Sequence, residues 1–490
     1  MIPVRAGYLR LTLSFVFAAL TLSACLVGPD YQRPSVATPP AFKEAAGWVP
    51  ARPADAIDKG AWWSVFDDPV LDGLERQVEI SNQTLAAAEA AYREARAIVA
   101  EDRALLFPTV GLSGSPTLSR SSSSMNRGLS ATALSTAGVV TRQYQVGAQA
   151  SWAPDLWGKI RREIEGARDT TQASAADLAN ARLTAQSELA SDYFELRLTD
   201  AEKDLLQRTI SGYQRALVVT ENQYRAGNAA KSAMLTAQST LSATQASLID
   251  LDRQRTQAEH AIAVLIGLPP ADLTIAPIAH WLPGPPVTPL QIPSTLLQRR
   301  PDVAAAERST AAANAQIGVA VAAYYPDLTL SGSYGFASTA LSTLFSGPST
   351  LWSLGAVVSE TVLDFGARKA AVDQARATYD EAVAQYRQTV LSAFQNVEDA
   401  LAAARVLQNE QVFVAVTAAD STQNVGLTLN EFQAGTVDYT TVATAQATAL
   451  AAQESLLNVQ AERMTEAVDL IEALGGGWSV DEPLGLAEDK

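Results

Sequence analysis

The stretch YRAGNAAKSAMLTAQ, beginning at Tyr224, returns as FQAGTVDYTTVATAQ, beginning at Phe432, 208 residues later. The same offset carries Trp157-Gly158 onto Phe365-Gly366 and Gly267 onto Gly475, so about 110 residues align without an insertion. Upstream, LFPTVGLSGS around Pro108 matches YYPDLTLSGS around Pro326 at an offset of 218. The first copy therefore carries ten extra residues between Pro108 and Trp157, where the run SRSSSSMNRGLSATALSTAG suits an exposed loop. A chain written twice has to fold as two copies of one plan, and whatever one copy builds the other must build again.

Most of each copy is helical by pattern. Val383, Tyr386, Val390, Phe394, Val397, Leu401 and Ala404 recur at steps of 3 and 4, a coiled-coil seam, and the many alanines between them allow close helix approach. From Gly158 to about Arg225 there is no proline, which predicts a helix about 100 Å long at 1.5 Å per residue. Its partner, Ala229 to Ile266, is about half as long and stops at GLPP, where glycine and two prolines end a helix. The spacing predicts that a short helix from Asp302 to about Tyr324 stacks on this partner, and that the C-terminal helix, Asp438 to Leu474, is completed by the segment Thr84 to Leu106.

The helices are interrupted by PTVGLSGSPTL, YQVGAQASWAPDL, PDLTLSGSYGF and LWSLGAVVSETVL, each about ten residues with partly alternating polarity and aromatics such as Trp152, Tyr334 and Trp352 near the ends. This pattern suits membrane β-strands. Beyond the first 24 residues no apolar run is long enough for a transmembrane helix, so a span has to be a closed barrel. Four strands cannot close one, since natural barrels start at about eight. Three copies would pool twelve strands, with their helices forming a hollow cylinder beneath.

The first 24 residues read as an export signal: Arg5 and Arg10 are followed by an apolar core, Leu11 to Leu22, too short to span a bilayer. Leu22-Ser23-Ala24-Cys25 then resembles the lipobox of bacterial lipoproteins, which makes Cys25, the only cysteine, the expected site of a covalent lipid. Leu26 after the cysteine points, by resemblance to lipoprotein sorting signals, to the outer membrane. The chain thus divides into a signal (1–24), an extended lipid-bearing segment (25–66), a first repeat (67–268, hairpin 108–156), a Pro-rich connector (269–300), a second repeat (301–476, hairpin 326–364) and a tail (477–490).

A formal net charge of −16 disfavours a nucleic-acid partner, and two histidines, four methionines and one cysteine disfavour a soft-metal site. No GxSxG, HExxH, Walker A or Rossmann glycine pattern occurs, and His260 and His280 have no companion ligands or nucleophile nearby. No enzyme activity and no cofactor are expected.

The residues also carry a family likeness. CLVGPDYQRP from Cys25, WWSVFDDPVLDGL from Trp62, LLFPTV, DLWGKIRREIEGA, QRRPDVAAAE from Gln298, YYPDLTLSGSYG and DFGARKAAVDQA occur in order over the whole mature chain. The chain resembles the TolC-like outer membrane factors, in particular the NodT-type lipoprotein branch serving resistance-nodulation-division efflux systems. The resemblance implies a homotrimer with a twelve-stranded outer-membrane barrel and a periplasmic α-helical barrel, docked at its helix tips to a membrane-fusion adaptor and an inner-membrane pump. It assigns docking to the hairpin tips, Tyr224, Arg225 and Gly227 in the first copy and Phe432 and Gly435 in the second. Family members often place an aspartate ring about nine residues after the second glycine, with an arginine shortly beyond, where this chain has Thr444 and Ala447 and, in the first copy, Thr236. The expected constriction is therefore built from Thr236, Thr441 and Thr444, with Asp438 the nearest carboxylate. A type I protein-secretion conduit and a lipid-anchored envelope spacer are the alternatives.

Overall fold

The computed structural model describes residues 26–45, 61–120, 140–278, 281, 284–286 and 299–476. The signal segment, Cys25, the loop from 121 to 139, His280 and the tail 477–490 lie outside the described residues. In chain order the elements are α1 (Pro69–Ser81), α2 (Gln83–Ala104), β1 (Thr109–Arg120), β2 (Val140–Trp152), α3 (Lys159–Arg225), α4 (Lys231–Leu265), α5 (Pro301–Ala322), β3 (Asp327–Ser338), β4 (Thr350–Ser359), α6 (Ala367–Gln433) and α7 (Tyr439–Ala473). The long helices α3 and α6 have 67 residues each and α4 and α7 have 35 each, so the repeat read in the sequence is a repeat of structure. No described helix is long and apolar enough to cross a membrane.

Two compact units cut across the repeats. One draws on Met1–Arg33, Glu94–Thr171 and Arg308–Val383, the other on Pro34–Arg93, Gln172–Glu307 and Ala384–Lys490. The first contains the four strands, joined antiparallel in the order β1-β2-β3-β4. Thr109 pairs with Ser151 in the first hairpin, and Asp327 with Ser359 in the second. The second register is the first moved by the two sequence offsets.

The second unit holds the apolar cores. Trp62, Trp63, Leu71, Leu74 and Val78 pack with Leu189, Tyr193 and Phe194 of α3, Ile262 of α4 and Val468 of α7. The predicted seam on α6, Tyr386, Val390, Phe394, Val397 and Leu401, is buried against Val303, Leu470 and Leu474. A cluster of buried ions fastens the connector: Asp200 accepts from Arg197 at 3.1 Å and Arg255 at 2.7 Å, and these arginines donate to the carbonyls of Ala276 and Ile275. At the start of α1, Pro69 occupies the first turn and the Asp68 carboxylate accepts from the backbone N–H of Val70 at 2.9 Å, a conventional cap.

The helix stacking differs from the sequence expectation. Asn82, at the start of α2, donates from Nδ2 to the carbonyl of Leu265, the last residue of α4, at 2.7 Å, and Ser81 donates to Ile266. Arg300, at the start of α5, donates to the carbonyl of Ala473, the last residue of α7, at 3.2 Å. So α2 begins at the end of α4, and α5 at the end of α7, within each repeat and not across the two. The equivalent glycines explain it. Gly267 and Gly475 have φ of +70° and +89°, and a Cβ on them would stand 2.1 Å from the Ser81 oxygen and 2.6 Å from the Arg299 oxygen. Only glycine lets the incoming backbone touch the helix end so closely.

Candidate functional site

The four-stranded sheet is exposed on both sides. On one face of the register stand Val110, Leu112 and Leu118 of β1, Val146, Ala148 and Trp152 of β2, Leu330, Tyr334 and Phe336 of β3, and Trp352, Leu354 and Val358 of β4. The other face carries Thr109, Ser113, Ser115 and Thr117, then Thr141, Gln143, Gln145 and Gln149, then Thr329, Ser331 and Ser333. Leu112 is 86% exposed and Leu354 81%, an apolar exposure that marks a face covered by lipid or by another protein surface. The polar face is internally bonded where Ser333 and Ser353 oxygens meet at 2.8 Å. β1 and β4 are edge strands with open hydrogen-bonding rows, which β-proteins ordinarily cover or close.

Beside the sheet the start of the described chain is clamped. The buried Arg162 side chain donates to the carbonyls of Val27 and Gly28, at 3.1 and 3.3 Å, and to the Asp30 carboxylate at 2.9 Å, while Asn314 donates to the Pro29 carbonyl. Gly28 and Gly318 meet backbone to backbone: a Cβ on Gly28 would lie 2.4 Å from the Gly318 Cα. Leu26, the residue after Cys25, rests on Gly158.

In the other unit the two helical hairpins turn through the same capping pattern. After α3, Asn228 N–H bonds the Gln223 carbonyl at 2.8 Å and Gly227 takes φ +79°; after α6, Thr436 N–H bonds Glu431 at 3.0 Å and Gly435 takes φ +76°. These are glycine C-caps that free the chain to reverse. The starts of the return helices differ. Ala230 offers α4 no side-chain cap, whereas the Asp438 carboxylate accepts from both the backbone N–H and the hydroxyl of Thr441, at 3.0 and 2.9 Å, which holds it below the usual carboxylate range. Phe432 and Tyr439 are buried edge to face, with Val442, Ala216 and Ala237 around them. Alongside, an open groove of about 530 Å³ runs between α3 and α6, floored by Val219, Leu429 and Phe432 and rimmed by Arg215 and Gln433. Gly212, whose Cβ would meet nothing, leaves the space.

Further along the same unit, carboxylates accumulate on α3 and α7. Burial, with Glu454 and Glu195 nearby, pushes Glu202 up to about 7, and burial beside Glu188 and Glu195 pushes Asp192 up to about 6. No group of three or more histidine, cysteine, aspartate or glutamate side chains able to hold a metal occurs among the described residues.

Two long helical hairpins and a two-faced strand quartet in a duplicated chain match a known family model, that of the outer membrane efflux proteins, over residues 74–268 and 292–476. The chain belongs to the outer membrane efflux protein family. It is 30% identical to the pyoverdine export outer membrane protein OpmQ of Pseudomonas aeruginosa, over 97% of this chain and 98% of that one. It is 31% identical to the solvent efflux pump outer membrane protein SrpC of Pseudomonas putida, over 95% and 98%. Among solved structures, the outer-membrane channel OprN superposes with a TM-score of 0.84 at 30% identity, covering 93% of this chain and all of that one.

In this family member the residues singled out in the sequence fall into three groups. Tyr224, Arg225, Gly227 and Gly435 sit exposed at the hairpin turns, with Arg225 paired to Glu221 at 3.5 Å. Phe432 does not: it is buried, so it serves the hairpin core and the groove floor and offers no projecting ring. Thr236, Thr441 and Thr444 are exposed, but the Thr441 proton goes to Asp438 and that of Thr444 to the Thr440 carbonyl, at 2.9 Å in each case. Asp438 is a helix cap as well as a surface charge. His260 is exposed on α4. Missed by sequence reasoning were the groove, signalled only by Gly212, and the Arg162 clamp, signalled only by an arginine placed four residues after Gly158.

Proposed function

We propose that this chain is the outer-membrane exit duct of a tripartite small-molecule efflux pump. Three copies close their sheets into a twelve-stranded barrel, lipid outside and water inside. The observation that carries this is the sheet with one apolar and one polar face and two open edges: lipid covers the first face, solvent the second, and only another copy can satisfy the edges. Transport energy comes from an inner-membrane pump, joined through a periplasmic adaptor that docks at the hairpin tips beside the α3–α6 groove. Cys25 carries the lipid, and the Arg162 clamp two residues further on fixes where that anchor leaves the protein.

Purified protein should run as a trimer by light scattering and give discrete conductance steps in planar bilayers; a monomer without steps would leave only the envelope-spacer reading. Co-purification of an adaptor of the drug-efflux type, and not of a protein-secretion type, separates the two conduits. In the gate, Thr444→Ala should raise single-channel conductance, because three side chains at the constriction lose their hydroxyls together. Parental conductance in that trimer would move the limiting ring away from Thr444.

A further inference from the structure

The two repeats leave one interaction made inside the chain and its counterpart unmade. At the foot of β2, Trp157 stacks on Tyr325 with ring centroids 4.9 Å apart and donates from Nε1 to the Pro326 carbonyl at 2.8 Å. Tyr325-Pro326 is the dipeptide that leads into β3, the next strand of the sheet. The repeat carries Trp157 onto Phe365, at the foot of β4, and carries Tyr325-Pro326 back onto Phe107-Pro108, which leads into β1. β4 and β1 are the two open edges. Phe365 is 93% exposed and Phe107 68% exposed, so each has the position of a stacked ring and neither has a partner ring among the described residues of its own chain.

The foot of β4 is also built to hold its shape. Arg368 donates to Glu360 at 2.7 Å, to Asp364 at 2.7 Å and to the carbonyl of Thr361, and its guanidinium lies 5.3 Å over Tyr324. Asp364 also accepts from the Gly366 N–H at 3.0 Å, and these donors hold its carboxyl below the usual range. On this fixed frame stand Val362, Leu363 and Phe365, 92%, 70% and 93% exposed. Phe365 does so at φ +52°, a left-handed conformation unfavourable for a bulky side chain.

We infer that the knuckle around Phe365 is an intersubunit latch, docking on Phe107 of a second copy, and that the seam it closes pairs β4 with β1 of that copy in a single register. This rests on the barrel proposed above, and it adds the residues and the register. The within-chain pairing of β2 with β3, in which Trp152 faces Leu330, becomes at the seam Val358 opposite Gly114, Ala356 opposite Pro116 and Leu354 opposite Leu118. The transfer is tested by its own parity: Leu354, Val358, Gly114 and Leu118 all lie on the apolar face within their own sheet. An offset wrong by one residue would have opposed the apolar face to the polar one.

The test is a pair of cysteine variants of the full chain. In Leu118→Cys/Leu354→Cys, oxidation should link copies into covalent dimers and trimers on non-reducing gels. The slipped pair Leu118→Cys/Ser353→Cys should not link. Neither pair can close within one chain, since β1 and β4 are three strand spacings apart, about 14 Å, against a limit of about 7 Å between Cα atoms. For the latch itself, Phe365→Ser should lose trimer at temperatures where the parent keeps it, and Phe365→Trp, the residue of the first repeat, should hold it. A parental trimer in which the slipped pair links, or the designed pair does not, overturns the register. A Phe365→Ser trimer as heat-resistant as the parent overturns the latch. A parent that light scattering shows to be monomeric defeats instead the barrel on which both rest.

Discussion

Replacing Glu75 by leucine should raise the protein's thermal stability at pH 7.5 and flatten its dependence on pH. Glu75 is fully buried on α1, on the same side as Leu71, Leu74 and Val78, and neither carboxylate oxygen has a hydrogen-bond partner. Burial, reinforced by Glu79 and Asp72, pushes its pKa from the ordinary 4.5 up to about 9. The folded chain therefore holds a proton that the unfolded chain has released, and each pH unit above 4.5 favours unfolding until the folded group itself ionises near 9. At pH 7.5 that amounts to about 4 kcal/mol relative to acid conditions, at roughly 1.4 kcal/mol per unit. Glu75→Leu removes this contribution and fills the site with apolar volume. Glu75→Gln removes the titration but leaves an unbonded amide buried, so it should flatten the curve and gain less. The measurement is the unfolding midpoint from pH 5 to 9 for parent and both variants. Glu202 and Asp192 leave a smaller slope below about pH 7 in every variant, and a slope undiminished in Glu75→Leu would place the whole titration on them.

Glu75 also marks where sequence patterning stops. The periodicity of α1 is legible, because Leu71, Leu74 and Val78 step by three and four, yet a glutamate on that stripe reads in sequence as its polar margin. The long helices and tip glycines were legible for local reasons: a proline-free run has few ways to stop, and a glycine at a helix end has one main use. The strands were legible because alternation at period two survives in a sheet with two different solvents. End-to-end helix stacking was not. It depends on which carbonyl Asn82 and Arg300 reach, a choice made by chain paths through space, and the signal for it, Gly267 and Gly475, reads equally well as ordinary helix termination. The burial of Phe432, which the resemblance assigns to the docking tip, was equally illegible. It depends on the neighbouring Tyr439 meeting it edge to face, a contact made only once the hairpin has turned.

The sheet makes the sharper demand on sequence, because over most of β1 to β3 its two faces differ at each step of one residue, with Arg142 on the apolar face and Leu351 and Val357 of β4 on the other as the departures. Leu112→Arg should strongly reduce the assembled trimer recovered from outer membranes, while Ser113→Arg, one residue along, should assemble at the parental level. Leu112 stands on the apolar face opposite Ala148 and is 86% exposed, and a cation there has lipid as its solvent, a cost that reaches about 2–4 kcal/mol per copy at the bilayer midplane and is smaller at Leu112, nearer the foot of β1. The barrel repeats that cost in each copy, and assembly feels all of it. Ser113 pairs with Gly147, among serines and glutamines that meet water. Three arginines added there should leave the barrel standing and shift its ion selectivity towards anions, since they place a ring of positive charge in the lumen. Outer-membrane yield and reversal potential in planar bilayers read the two effects separately. If Ser113→Arg abolishes assembly and Leu112→Arg only alters selectivity, the faces are reversed and the sheet is not a lipid-facing wall of the kind proposed. Should both variants assemble normally with unchanged selectivity, the sheet lines no membrane pore at all.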